Sequence, residues 1–354
     1  MSEFYDWEKT CSFDADVTMV IGARGIGKTY GIRKKAIKLF LNKGYRFVEV
    51  CRYKNELSDI SDGYFDKVSN EEDFKDYYFK TDSRYGYIGT KLDKNDDKEK
   101  IVWQIICYFV SLSGSQKKKK KTFYNVKYII FDECVLDKSE RYSYYLPNEF
   151  NILAKLVDTI SRERPGVDSI KPRVILLGNA CDIANPYMLA YGVGAEVQFG
   201  YKWYNNKSFL LHYVKDDEYA AKKLQDTVAG RMYRIVGGDV EALNKFDVGT
   251  TDFIEKKTPN AIFYFGLVYL GMRFGIWTDY DKGYYYITDK IPKGTNRPIF
   301  SLTLQDNRVN YIAARKASKV LQDFTEMHYY GMLRYENATI KLNFERVLTS
   351  LGVK

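Results

Sequence analysis

Val17–Tyr30 reads VTMVIGARGIGKTY, and the reading of this stretch decides the fold. Its centre, Gly22-Ala23-Arg24-Gly25-Ile26-Gly27-Lys28-Thr29, fits G-x-x-x-x-G-K-[ST] at every position. The residues before it, VTMVI, are a short apolar run of the kind that forms a buried strand. After it, Ile32, Ala36 and Leu39 recur at helical spacing, and Arg33, Lys34, Lys35 and Lys38 make a polar face. Strand, glycine turn and helix, in that order, build a phosphate cradle. Gly22 and Gly27 let backbone N–H groups curl around a β-phosphate, and the helix N-terminus adds its dipole. Lys28 is expected to neutralise β/γ oxygens and Thr29 to ligate magnesium beside ATP.

Hydrolysis needs a second strand that presents carboxylates. VKYIIFDEC supplies one: Val126–Phe131 is an apolar strand, and Asp132 and Glu133 sit at its C-terminal end, where open α/β sheets bind ligands. Asp132 is placed to hold the magnesium shell and Glu133 to polarise the attacking water. That adjacent acid favours an NTPase over a nucleoside kinase, which has no water to activate. A third apolar strand, RVILLGNA, ends at Asn179. This residue reads either as a reporter of the γ-phosphate or as an ordinary turn residue after Gly178. Between these strands, Phe150, Leu153, Val157 and Ile160 form a helical stripe that starts at Pro147 and ends at Arg162 and Arg164, before Pro165. Basic residues at a helix C-terminus suit the dipole; they also suit an arginine finger.

Composition bounds the rest. The chain has 354 residues, enough for two or three domains, with 45% hydrophobic and 29% charged residues, which fits a soluble globular protein. The 32 tyrosines are explained by coding bias as readily as by function. The net charge of +9 suits a polyanionic partner such as nucleic acid. Five scattered cysteines and two distant histidines argue against zinc and disulfides and for a reducing compartment. AIFYFGLVYLG is too short to span a bilayer, so no membrane segment is expected.

Taken together and in order, GARGIGK, RYKNEL, VKYIIFDEC, LPNE, NPY and the downstream FGLVYLGMRFGIWTDYDKGYYYITD resemble the DNA-packaging ATPase (encapsidation protein) of phi29-like tailed phages. The likeness covers most of the chain. It implies an additional-strand, catalytic-glutamate P-loop ATPase that packages double-stranded DNA at the portal of a procapsid. It also implies a homo-oligomeric ring, expected to be a pentamer, in the host cytoplasm, with a structural RNA as a further candidate partner. The implied fold is α/β: a P-loop domain with a central, mainly parallel sheet, a small helical linker, and a C-terminal RNase H-like, nuclease-derived α+β domain. Carried over, the family pattern supports Lys28, Thr29, Asp132, Glu133 and Asn179 in the roles above and puts Arg162 at the trans-acting finger position. The segment SLSGSQKKKKKTFYN departs from it. The family has a shorter loop there with one lysine that acts across the subunit boundary, and here Lys117, Lys118, Lys119, Lys120 and Lys121 leave open which, if any, inherits that role.

The expected division is residues 1–212 for the ATPase domain, 213–247 for the linker and 248–354 for the C-terminal domain. EEDFKDYYFKTDSRYGYIGTKLDKNDDKEK reads as a β-hairpin with a polar loop at Asp93–Lys100. Gly237-Gly238 breaks the helical linker segment. Strands AIFYFGLVYLG, FGIWTDYD and GYYYITD, with turns at Gly271 and DYDKG, read as an antiparallel meander; helices follow, including DNRVNYIAARKASKVLQDF. Nuclease action would need carboxylates that converge on two metals. Asp279, Asp281 and Asp289 are the nearest acids, but the first two flank a turn, where Asp is favoured for backbone reasons. Lys54 and Lys117–Lys121 are candidate DNA contacts, sequence-blind as phosphate contacts are; the lysine run also reads as a solvated loop. A helicase, a partition ATPase or a nucleotide switch without turnover are the competing readings. The last has no use for Glu133.

Overall fold

The computed structural model describes residues 5–91, 101–115, 122–136, 145–162, 170–181, 185–193, 197–215, 225–235, 253–314 and 318–353. The chain divides into two compact units; the first takes in Met1–Asp182 and Pro186–Asp247, the second Ile183–Asn185 and Val248–Lys354.

In the first unit a short helix α1 (Trp7–Ser12) precedes strand β1 (Val17–Ile21) and helix α2 (Lys28–Lys43). Then come β2 (Arg46–Cys51), two short helices α3 (Glu56–Ser61) and α4 (Asp66–Ser69), and strands β3 (Tyr78–Thr81), β4 (Tyr85–Lys91) and β5 (Ile101–Ser111). Strand β6 (Val126–Phe131), helix α5 (Glu149–Ile160), strand β7 (Arg173–Gly178), helix α6 (Pro186–Ala190), strands β8 (Gly200–Tyr204) and β9 (Phe209–Tyr213) and helix α7 (Val228–Ile235) follow. The nine strands form one sheet in the order β3-β4-β5-β2-β6-β7-β1-β9-β8. The six from β5 to β9 are mutually parallel, with antiparallel pairings only at the two ends. Strands β1, β2, β6 and β7 are buried almost throughout, as parallel strands covered on both faces are. One strand, β7, separates the glycine-turn strand β1 from the acid-bearing strand β6.

The expected hairpin is β3–β4, but it is larger than a local insertion. β4 pairs on to β5, and β5 joins β2, so the segment extends the central sheet. Its loop, 93–100, lies outside the described residues. Helix α2 buries Ile32, Ala36, Ile37 and Phe40 rather than centring on Leu39. Helix α5 begins at Glu149, after Asn148 at φ 55°, and buries Glu149, Leu153, Leu156 and Ile160. Phe150 and Val157, expected on the inner stripe, are only half-buried.

The second unit is a six-stranded sheet. The expected meander is β10 (Ile262–Tyr269), β11 (Met272–Asp279) and β12 (Tyr284–Thr288), all antiparallel, turning at Gly271 (φ 80°) and Gly283 (φ 71°). Strands β13 (Ile299–Ser301) and β14 (Ile312–Ala313) add in parallel beside β10, and β15 (Leu333–Tyr335) beside β12, giving β14-β13-β10-β11-β12-β15. Helices α8 (Ser318–Tyr329) and α9 (Ala338–Ser350) pack Leu321, Phe324, Ile340, Phe344 and Val347 against Phe265, Phe274 and Ile276. The segment from Asp306 was expected to be helical. Within it Ile312 and Ala313 are instead taken up as an edge strand on β13, residues 315–317 lie outside the described residues, and Ser318–Tyr329 is helical.

Candidate active site

The turn from β1 into α2 has the backbone that its glycines predict, though not for one uniform reason. Gly25 and Gly27 lie at φ 96° and 83°, in the region L-residues avoid. Gly22 has no such strain: a Cβ there would meet Ile26 Cδ1 at 2.6 Å, so it is glycine for close packing. The N-terminal segment braces this turn from outside. Tyr5 N–H donates to the Ile26 carbonyl at 2.9 Å and Trp7 Nε1 to the Lys28 carbonyl at 2.8 Å. The Tyr5 hydroxyl in turn meets Thr10 Oγ1 at 2.7 Å and His212 Nδ1 at 2.6 Å, and Tyr201 stacks on the imidazole. Burial pushes the His212 pKa down to about 4.

Lys28 is buried. Its ammonium donates to the carbonyls of Gly22 (2.7 Å) and Ala23 (2.9 Å) and to Asn179 Oδ1 (3.2 Å). Asn179, at the tip of β7, thus reaches the cradle rather than serving only its own turn. The Thr29 hydroxyl donates to Asp132 Oδ2 at 2.7 Å across 103 residues of sequence. Asp132 Oδ1 accepts the Glu133 N–H at 2.9 Å, and Glu133 sits at φ 53°, a conformation rare for a residue with a side chain. Arg24, Gly25, Gly27, Lys28, Thr29, Asp132, Glu133, Gly178 and Asn179 line one cleft of 1090 Å³; residues 59–71, the α3–α4 region, contribute another wall.

The oxygen pair Thr29–Asp132 suits a hard cation. Mg²⁺ takes one or two protein oxygens and completes its shell from phosphates and water. Among the described residues there is no cluster of three or more His, Cys, Asp or Glu that could hold a metal ion unaided.

Two ion pairs with buried carboxylates carry no clear mark in the sequence. Arg33, expected on the polar face of α2, instead donates to Glu49 Oε1 at 2.6 Å from over the ring of Tyr64, whose hydroxyl donates to Glu49 Oε2 at 2.8 Å. Burial pushes the Glu49 pKa up, and the guanidinium opposes it. The signal was available: an acid in the middle of RFVEVC, a strand otherwise buried on both faces, needs an internal cation. The second pair is Arg52 with Glu149, at 2.9 Å.

Arg162 follows α5 by one residue beyond its cap. Its side chain is 56% exposed, pairs only loosely with Asp158 at 3.6 Å, and does not line the cleft of its own chain. Lys54 is exposed on the turn from β2 into α3. Arg164 and Lys117–Lys121 lie outside the described residues. Asp279 is buried as a turn acceptor, taking hydrogen bonds from Thr258 Oγ1 and from the N–H groups of Asp281 and Lys282.

A phosphate cradle on β1, an acid pair on β6 and a single strand between them define a P-loop NTPase of the additional-strand class. Residues 1–349 match the family described as the podovirus DNA encapsidation protein (Gp16). The DNA packaging protein of Bacillus phage phi29 is 32% identical over 345 residues, covering 96% of this chain and 95% of that one. The DNA packaging protein of Bacillus phage B103 is 33% identical over 335 residues, covering 93% and 95%. A chain of the bacteriophage phi29 viral genome packaging motor assembly superposes with a TM-score of 0.69 at 29% identity, over 99% of this chain and 100% of that chain. The chain belongs to the podovirus DNA encapsidation protein (Gp16) family; it is a phage genome-packaging motor ATPase.

Proposed function

We propose that this ATPase drives double-stranded DNA through a homo-oligomeric ring, a pentamer, at the portal of a procapsid in the host cytoplasm, hydrolysing ATP in the Gly22–Asn179 cleft. The observation that carries the reading is the Thr29–Asp132 hydrogen bond, which brings the cradle and the acid strand to a single point.

In this mechanism the backbone N–H groups of Gly22–Thr29 hold the β-phosphate, and the Lys28 ammonium exchanges its carbonyl partners for β/γ oxygens. Thr29 and Asp132 would hold magnesium, which when bound neutralises phosphate charge. Glu133 orients the water and accepts its proton as the new oxygen–phosphorus bond forms and the bond to the ADP oxygen breaks. Asn179 registers the γ-phosphate, a reading supported by the hydrogen bond it accepts from Lys28. Arg162 serves a neighbouring subunit, since it stands clear of its own cleft. Lys54 and the Lys117–Lys121 run are the DNA-contact candidates, and their phosphate contacts would suit a motor that moves any sequence.

The second unit is assigned an RNase H-like fold on its strand order. Counted within the unit it runs 3-2-1-4-5, with the first three antiparallel and the next two parallel to the first, plus β15 beyond the third. Its use is binding, to portal, capsid or a structural RNA, rather than cleavage, because Asp279 is committed to its own turn. The stretch 213–247, which opens on Tyr213 at the end of β9, is assigned the role of linker.

The test is single-turnover ATP hydrolysis with and without duplex DNA. Strong stimulation by duplex is expected. Stimulation by single strands alone would favour a helicase, and nucleotide binding with no turnover would favour a switch.

A further inference from the structure

Trp7, the first residue of α1, is 4% exposed, and its indole lies so close to α2 that a Cβ at Gly31 would meet Trp7 Cδ1 at 2.5 Å. Its Nε1 donates to the Lys28 carbonyl at 2.8 Å. Two positions earlier the Tyr5 N–H donates to the Ile26 carbonyl at 2.9 Å. The carbonyls gripped in this way are those of the two residues that flank Gly27, which sits at φ 83°. The segment that grips them is itself tied down. Asp6 Oδ1 accepts the Lys9 N–H at 3.0 Å and caps α1 between the two contacts. The Tyr5 hydroxyl meets His212 Nδ1 on β9 at 2.6 Å, and Thr10 Oγ1 meets the Tyr201 hydroxyl on β8 at 2.8 Å. The Tyr5 and Trp7 rings meet edge to face, with 4.9 Å between centroids.

A buried indole N–H needs an acceptor, and many carbonyls would satisfy it. These two matter because of the peptide planes they belong to. A trans peptide is flat, and its N–H points opposite to its C=O. Holding the Ile26 carbonyl outside the turn therefore aims the Gly27 N–H the other way, and holding the Lys28 carbonyl does the same for the Thr29 N–H. Both N–H groups lie at the start of α2, where a helix has no acceptor of its own for them. They belong to the G-x-x-x-x-G-K-[ST] turn, whose N–H groups hold phosphate. Glycine at position 27 leaves the plane free to rotate unless something outside fixes it. We propose that Tyr5 and Trp7 are positioning residues for the phosphates of ATP: an N-terminal strap that fixes the Gly27 and Thr29 N–H groups before nucleotide arrives. A preset cradle holds the β-phosphate equally in bound ATP and in the transition state, so the strap lowers KM and leaves kcat alone. The proposal rests on Gly22–Thr29 being the phosphate cradle.

The experiment measures steady-state hydrolysis by Trp7→Phe, Tyr5→Phe and Lys28→Ala in the full chain, with duplex DNA present. Inorganic tripolyphosphate serves as a competing inhibitor, because it carries the phosphates without the base. Phenylalanine at position 7 keeps an aromatic ring against Gly31 and removes the N–H donor. Trp7→Phe is expected to raise KM for ATP about tenfold, as the loss of a well-aimed hydrogen bond to a charged group does. The inhibition constant of tripolyphosphate should rise by the same factor, with kcat within about twofold of wild type. Tyr5→Phe unties the strap from His212 but keeps the main-chain N–H, and should raise both constants about threefold; it carries the test if Trp7→Phe fails to fold. Unmoved constants in the folded variants, with Lys28→Ala inactive, overturn the proposal and leave the cradle standing. A higher KM for ATP with tripolyphosphate inhibition unmoved would put the strap at the base instead of the phosphates, and overturns it too. So does a fall in kcat with KM unmoved. Wild-type hydrolysis by Lys28→Ala overturns the cradle and the proposal with it.

Discussion

Arg162→Ala separates catalysis from stability, because the side chain stands clear of its own chain's cleft. In the folded chain the guanidinium has little to lose: its side chain is 56% exposed, and its one ion pair among the described residues, with Asp158 at 3.6 Å, involves a carboxylate that is 74% exposed. Such i,i+4 surface pairs contribute about 0.3–0.5 kcal/mol. Thermal unfolding of Arg162→Ala should therefore be close to wild type. A finger that stabilises charge on the transferring phosphoryl group is worth about 10³ to 10⁵ in rate, or about 4–7 kcal/mol of activation free energy. Ten times more is at stake in the rate than in the fold. The assay is DNA-stimulated hydrolysis in mixtures of Arg162→Ala and Lys28→Ala chains, each inactive alone. An Arg162→Ala subunit keeps a sound cleft, and a Lys28→Ala subunit keeps a sound finger. At equal mixing, about one interface in four of a head-to-tail ring pairs sound with sound. Recovery should peak near that composition, at up to about a quarter of the wild-type rate if interfaces work independently. Zero activity at every ratio, with mixed rings shown to form, would refute a finger that acts across subunits. Near-wild-type activity of Arg162→Ala alone would remove this residue from the chemistry.

Glu133→Gln should retain nucleotide and magnesium binding, measured by equilibrium titration, while turnover falls by about 10² to 10⁴; an unchanged rate would move the water-orienting role elsewhere. His212 stays neutral in the fold down to about pH 4, whereas an unfolded histidine takes up a proton below about pH 6.5. Stability should therefore fall as pH drops through that window, by on the order of 1–2 kcal/mol after solvent screening, and His212→Gln should flatten the urea midpoint between pH 7 and pH 4.5. The Asp279 carboxyl is held below its ordinary range by the Thr258 hydroxyl and the Lys282 and Asp281 N–H groups. Its contribution is present above the unfolded value of about 3.9 and lost as pH falls through the lower folded value. Asp279→Ala should thus reduce the urea midpoint at neutral pH, and reduce it less in strong acid, without abolishing any DNA cleavage; metal-dependent nicking of plasmid that disappears in this variant would overturn the binding role of the second unit.

The parts of the site that lie close together in the chain were legible. Gly22–Thr29 could be read because a phosphate cradle is one continuous turn, and Val126–Glu133 because a buried strand that ends in acids breaks its own pattern. What joins them was not legible. Arg52 meets Glu149 across 97 residues and Arg33 meets Glu49 from a different element, so neither partner marks the other in sequence. Within CRYKNEL, Lys54 reads as a basic loop residue just after a strand, and Arg52, two residues before it and buried in the structure, reads the same way. The left-handed backbone of Glu133 carries no sequence signal at all, because only glycine, and to a lesser degree asparagine, advertise such a conformation. In the second unit the meander followed from its turns. The stretch from Asp306 misled because a two-residue edge strand is too short to show a period of its own.

The placement of β1 in the sheet bears on how the chain is made. Val17 pairs with Val174 on one side and with Phe209 on the other. Among the described residues, the strand that launches the phosphate cradle therefore has no strand partner before β7. Translation proceeds at about 5–20 residues per second, so on the order of 10–40 s separate the synthesis of β1 from that of its last partner. During that interval β2, β5 and β6 can pair among themselves, since all three emerge before β7. Contacts this distant in sequence close late because the loop entropy falls due before the pairing repays it. The sheet around the cradle can therefore close only when the first unit is nearly complete, which puts the assembly of its nucleotide-facing strand at the end of that unit's synthesis.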